Sequence, residues 1–194
     1  MTTRLPEDVY KATSQQKDGP RVLIMVADNV NDVEFFYPYY RFIEAGCTVD
    51  VATPKGKGFK GDNGAGLTET RKLEEIKASN YNLLYIPGGK APKELKDDDN
   101  AIKITKQFAQ NGTTIAAFCH GPQVLAEAGV IDNTQITGWP EVQEEIEASG
   151  ANYVNKETVV DGQFITARWP GDLPAFTAKV LENLYRAGEA NKAA

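Results

Sequence analysis

Histidine and cysteine are scarce in this chain: one His, His120, and two Cys, Cys47 and Cys119, among 194 residues. Two cysteines cannot build a disulfide framework, and a single histidine leaves no room for the usual Cys/His zinc spacings, so no metal is expected. Basic charge is short as well. With 21 Lys and Arg against 27 Asp and Glu the formal net charge is −6. Phosphate contacts need clustered Lys and Arg, so a nucleic-acid partner is not expected. Long apolar runs are missing too. None approaches the roughly 20 residues that span a bilayer, and residues 1–20 lack the apolar core of a signal peptide. The chain therefore reads as a cytoplasmic protein with no membrane partner. What is present suits a globular fold: 41% hydrophobic and 25% charged residues, at a length that fits one domain with a substantial core.

Residues 1–20 are polar and precede any sustained periodicity, so they read as an arm, flexible or packed on a partner subunit. A single domain over 21–188 and a short tail over 189–194 follow. Arg21 to Ala27 has the pattern of a buried strand. In Asp32 to Ala45, Val33, Phe36, Tyr37, Tyr40 and Ile43 recur at helical spacing, as on one core-facing side, and Gly46 ends the helix. Strands are expected at Thr48 to Thr53 and Tyr81 to Ile86, then a helix from about Asn100 to Gln110. A strand ending at Cys119 runs directly into a helix that Gly129 stops. Beyond it lie a helix at Pro140 to Ala148, a hairpin or edge between Tyr153 and Val160, a strand at Phe164 to Arg168 and a helix from Pro174 to Arg186. Strands separated by helix-length segments make βαβ units, a parallel sheet and helices on both faces.

The join at Cys119 carries the most chemistry. The apolar run Thr113 to Phe118 leads through Cys119-His120-Gly121 to Pro122, near the first position of a helix. A cysteine there sits at the carboxyl edge of the sheet, where the N–H groups opening the helix favour an anion such as a thiolate. An arbitrary cysteine after a strand is more often structural; the turn chemistry and the neighbouring histidine argue for a reactive one. Cys47, after a helix-ending glycine, reads as a small core residue.

Other signals weigh less. Gly56-Lys57-Gly58-Phe59-Lys60-Gly61 spells GxGxxG but does not open a helix, so it reads as a flexible loop rather than a dinucleotide site. Lys96-Asp97-Asp98-Asp99-Asn100 reads as a solvated cap of the following helix. Pro87-Gly88-Gly89 leaves the carboxyl end of the adjacent strand, and its glycines let backbone N–H groups approach a ligand closely; an ordinary turn reads equally well. Glu34 starts its helix at the same sheet edge. Pro38, four residues on, has no N–H to give the Glu34 carbonyl, so the helix should distort there. From spacing alone Glu34 reads as a surface residue. A carboxyl held beside a thiolate would instead have a raised pKa and donate a hydrogen bond to sulfur.

Together these residues resemble the DJ-1/PfpI family, over Arg21 to about Arg186. The resemblance rests on Val26-Ala27-Asp28 through Asp32-Val33-Glu34 with Pro38, on Ile86-Pro87-Gly88-Gly89-Lys90-Ala91-Pro92, on Ala117-Phe118-Cys119-His120-Gly121-Pro122, and on Val160-Asp161-Gly162 with Thr166-Ala167-Arg168. The Cys-His-Gly-Pro form resembles the PfpI branch. The resemblance implies a flavodoxin-like three-layer α/β sandwich with a mostly parallel sheet and a nucleophile-elbow cysteine. It implies Cys119 as nucleophile, Glu34 as facing acid, His120 as their partner, and Gly88, Gly89, His120 and Trp139 as oxyanion or substrate contacts, with no cofactor. Homodimers, and hexamers in the PfpI branch, are the implied assemblies. Two positions depart. Lys93 stands where peptidase-like relatives tend to carry a glutamate that supports the histidine of a neighbouring subunit, and Asn31 stands where an acid is common.

The leading expectation is a stress-protection enzyme of glutathione-independent glyoxalase or deglycase type, acting on 2-oxoaldehydes or the proteins they modify. A PfpI-type peptidase or amidase and a non-enzymatic redox sensor or chaperone using Cys119 oxidation are the alternatives, since each needs the same thiol.

Overall fold

A computed structural model describes residues 19–193, with side chains to Arg186. The expected arm falls outside the described residues except for Gly19 and Pro20. The elements are β1 (Arg21–Met25), α1 (Asp32–Glu44), β2 (Thr48–Thr53), β3 (Phe59–Lys60), β4 (Gly66–Leu67), β5 (Arg71–Lys72), β6 (Leu83–Ile86), α2 (Ala91–Lys96), α3 (Asp99–Gln110), β7 (Thr114–Phe118), α4 (Pro122–Glu127), β8 (Gln135–Ile136), α5 (Gln143–Ala148), β9 (Asn152–Tyr153), β10 (Thr158–Asp161), β11 (Phe164–Ala167) and α6 (Leu173–Ala193).

Seven strands form one sheet in the order β10-β11-β7-β6-β1-β2-β5. Every pairing in it is parallel except β10 with β11. From β1 the chain crosses through α1 to β2 on one side, and from β6 through α3 to β7 on the other. Right-handed crossovers in opposite directions put the two helices on opposite faces. Accordingly α6 returns to pack on α1, while α2, α3, α4 and α5 pack against one another. Parallel strands covered on both faces must be apolar throughout, and β6 and β7 are fully buried along their length.

The sequence expectations for β2, α1 and β7 match these elements closely, and α6 runs on past Arg186, where periodicity placed its end. Asn31 caps α1 by accepting from the Val33 and Glu34 N–H groups, and Asp98 caps α3 by accepting from Ala101 N–H, as a polar run before a helix should.

Of the two alternatives for Tyr153 to Val160 the edge holds: β10 is the edge strand of the main sheet, paired with β11, while β9 joins β8 instead of forming a hairpin with β10. Two readings are corrected. The glycine–lysine segment is not a loop throughout, because Phe59–Lys60 pairs antiparallel with Gly66–Leu67. The second concerns α1. Its inward residues are Glu34, Phe35, Pro38, Tyr39 and Phe42, whereas the stripe expected to face the core turns outward, with Val33 54% and Tyr40 41% exposed. Among the described residues no helix is long and apolar enough to cross a membrane.

Candidate active site

Cys119 follows the last residue of β7 and, among the described residues, is one of three non-glycine residues at positive φ, at +57°. That conformation costs a side-chain-bearing residue about 1 kcal/mol or more, and backbone hydrogen bonds hold it there. Its N–H donates to the Ala167 carbonyl at 3.0 Å, its carbonyl accepts from Trp139 N–H at 2.8 Å, and Gly121 N–H closes the turn onto the Phe118 carbonyl at 2.7 Å. A Cβ on Gly121 would lie 2.5 Å from the Ile86 carbonyl oxygen, so only glycine completes this turn.

Glu34 meets the thiol from α1. It is 2% exposed, its Oε2 accepts from Gly88 N–H at 3.0 Å, and its carboxyl is hydrogen-bonded to the Cys119 side chain. The distortion expected from Pro38 has a partner. Tyr85, buried on β6, donates its hydroxyl to the Glu34 carbonyl at 2.6 Å, replacing the helical N–H that proline cannot supply. This locks the first turn of α1, and with it the carboxyl, over the sheet edge.

Gly88 lets the two groups meet: a Cβ there would sit 2.5 Å from Glu34 Oε2, 2.6 Å from Cys119 Cβ and 2.9 Å from His120 N. Gly89, at φ +69°, packs against the backbone of Asn29 to Asn31. His120 Nδ1 lies 3.2 Å from Cys119 Sγ, and its ring stacks on Trp139 with centroids 6.0 Å apart. The fold thus gathers Cys119, Glu34, Gly88, Gly89, His120 and Trp139 at one edge. Lys93 stands exposed on α2.

The electrostatics correct one expectation. The turn alone favours an acidic thiol, but burial pushes Cys119 up, the Glu34 charge and hydrogen bond push it further, and the Gly89 and His120 N–H groups pull it only partly back. Burial likewise raises Glu34, to about 7, against the Cys119 hydrogen bond and Gly88 N–H. Two anions cannot share a dry site, so between them the groups keep one proton well above neutrality. Ionisation of the pair therefore begins near 7, and the thiolate forms by passing its proton to the carboxylate. His120 is held below its ordinary value by burial, against the opposing charge of Glu141. Cys47, 2% exposed in the core, is also pushed up by burial.

Sequence reasoning did not find Tyr85 or Trp169. Trp169 meets Trp139 edge to face at 6.4 Å. The guanidinium of Arg168 lies over the Trp169 ring at 4.0 Å, fixed by Asp172 Oδ2 at 2.8 Å and Asn155 Oδ1 at 2.7 Å. The only advance signal for Trp169 was its place just after a strand that ends at the same edge.

A family model described as DJ-1/PfpI family matches residues 20–183. A deglycase of Pyrococcus abyssi is 36% identical over 164 residues, covering 84% of this chain and 99% of that one. General stress protein 18 of Bacillus subtilis is 35% identical over 171 residues, covering 87% and 99%. Among solved structures, a two-domain protein from Anabaena variabilis with DJ-1/ThiJ/PfpI-like and ferritin-like domains superposes with a TM-score of 0.82 at 34% identity, over 84% of this chain and 49% of that one.

Proposed function

The chain belongs to the DJ-1/PfpI family, and from that premise we propose that it is a cofactor-free cysteine enzyme protecting the cell from reactive 2-oxoaldehydes. Its substrates are the free aldehydes and the adducts they leave on amines, which the names of the deglycase relatives favour. The observation that carries the reading is the buried Glu34 carboxyl, raised to about 7 and hydrogen-bonded to the Cys119 side chain. A general acid–base works best with a pKa near the operating pH.

Glu34 takes the thiol proton as Sγ adds to the aldehyde carbon. The C–S bond forms while the C=O π pair moves to oxygen, and the Gly89 and His120 N–H groups, which face the sulfur, stabilise that oxyanion. Glu34 then returns the thiol proton to the oxyanion, which gives the hemithioacetal. A carboxylate again and assisted by His120, it moves a proton from the former aldehyde carbon to the adjacent ketone carbon while the hydroxyl proton passes to the ketone oxygen, leaving the thioester of a 2-hydroxy acid. One water hydrolyses it to a 2-hydroxy acid and regenerates the thiol, so no oxidant or reductant is consumed. Trp139, stacked on His120, borders the substrate.

The acting unit is the domain over 21–188, placed in the cytoplasm, where the free thiols Cys47 and Cys119 suit a reducing environment. A second copy of the chain is the proposed partner, in a dimer or larger assembly. The outward stripe of α1, with Val33 and Tyr40 exposed beside Phe36, Tyr37 and Ile43, supports it.

One observation favours a second reading, peptide hydrolysis: His120 Nδ1 stands 3.2 Å from Cys119 Sγ, as in a Cys–His pair. Lysine at 93 cannot accept from imidazole, which weakens that alternative. Purified protein offered methylglyoxal without glutathione, and separately a fluorogenic peptide, separates the two. Lactate formation is expected; peptide hydrolysis without aldehyde turnover would transfer the site to the peptidase reading.

A further inference from the structure

The chain has eight Phe and eight Tyr but only two Trp, and both tryptophans stand together at the Cys119 edge. The sheet register explains the meeting. Ala167 of β11 lies opposite Phe118 of β7, so the chain leaving β11 through Arg168 and Trp169 runs beside the Cys119–His120 turn. Trp139 is brought to the same place by its N–H bond to the Cys119 carbonyl. The result is a row from the thiol outward: Sγ, the His120 ring at 3.2 Å, Trp139 stacked on it at an interplanar angle of 26°, and Trp169 edge to face beyond.

Core packing accounts for only part of this row. Trp139 packs against the hydrophobic core while staying half-exposed, and Trp169 is half-exposed outside it. Both rings are nevertheless held rigidly. Arg168 backs Trp169 and is itself tied to Asp172 and Asn155. Half-exposed indoles fixed beside a reactive thiol form a preorganised aromatic wall, and aromatic pairs gain attraction beyond the area they bury.

We propose that Trp139 and Trp169 form an aryl subsite, so that the enzyme prefers 2-oxoaldehydes whose ketone carbon carries a flat aromatic ring over those carrying a methyl group. The inference rests on the 2-oxoaldehyde reading and adds its specificity. Phenylglyoxal plus one water gives mandelate by the route that takes methylglyoxal to lactate. Burying a phenyl ring against two indoles in place of a methyl group favours the aryl substrate by about tenfold or more in kcat/KM.

The test uses binding as well as turnover. Because the chain contains no other tryptophan, its tryptophan fluorescence reports on these two rings alone. Mandelate and lactate, which lack a reactive aldehyde, are titrated into the full chain while emission is followed, and kcat/KM is measured for phenylglyoxal and methylglyoxal. We expect a saturable change with mandelate at concentrations where lactate gives none, and a phenylglyoxal preference. Trp169→Leu should weaken mandelate binding and reduce that preference several-fold. Methylglyoxal turnover with no mandelate response, or a preference that Trp169→Leu leaves unaltered, overturns the subsite. Mandelate binding without turnover of either aldehyde would sink the catalytic reading and leave the subsite standing.

Discussion

Replacing Glu34 by Gln should make the protein more stable at alkaline pH while slowing it as an enzyme. Burial raises this carboxyl from its ordinary 4.5 to about 7. An acid that holds its proton more tightly when folded contributes stability present in full below 4.5 and lost as pH rises through about 7. At about 1.36 kcal/mol per unit, the total is about 3 kcal/mol, most of it lost between pH 5 and 8. Glutamine keeps the size, accepts from Gly88 N–H through its carbonyl and carries no charge at any pH, so the variant should lack this component. Urea unfolding of both proteins at several pH values measures the difference directly. The two stabilities should converge near pH 5 and separate by about 2–3 kcal/mol at pH 8 in favour of the variant, or roughly 4–12 °C in Tm for a chain of this size. Parallel stability profiles would refute the raised carboxyl. Turnover should fall by about 10²–10⁴-fold, because an amide cannot shuttle a proton.

Gly88→Ala should abolish activity with the fold retained at a cost of about 1–3 kcal/mol, since its Cβ would sit 2.5 Å from Glu34 Oε2; an active Gly88→Ala enzyme would show that the two groups need not meet there. Tyr85→Phe leaves the buried Glu34 carbonyl without a donor and should destabilise by about 1–3 kcal/mol in urea unfolding; a neutral effect would remove Tyr85 as the replacement for the missing Pro38 N–H. Iodoacetamide labelling followed by peptide mapping should show Cys119 reacting with a midpoint near pH 7, set by Glu34, and the midpoint should vanish in Glu34→Gln. Preferential labelling of Cys47 would overturn the site assignment.

The Cys119 turn was legible in the sequence because proline and glycine punctuate it and the strand before it is uniformly apolar. The pairing of Gly88 and Gly89 with it followed from strand order alone. The α1 face was misread for a physical reason: this helix is apolar on nearly all sides, so period 3.6 offers two stripes. The polar residue at 34 steered the reading toward the stripe without it. The inward stripe is the one that contains Glu34, because its carboxyl has partners in Cys119 and Gly88 that lie more than fifty residues away. Tyr85 was invisible on the same ground, since its role depends on a carbonyl across the sheet. The thiol's electrostatics required depth of burial, which the turn motif does not encode. Trp169 needed the register of β11 against β7 before it could be placed beside His120.

The central claim, that Cys119 and Glu34 act as one unit on a 2-oxoaldehyde, is tested most directly by lactate formation from methylglyoxal without glutathione. Wild type, Cys119→Ser and Glu34→Gln are compared at equal concentration, with each variant's fold checked by its unfolding transition. The account predicts turnover by the wild type, none above background in Cys119→Ser and a residual rate in Glu34→Gln. Lactate formation that survives Cys119→Ser, in folded protein, would contradict it.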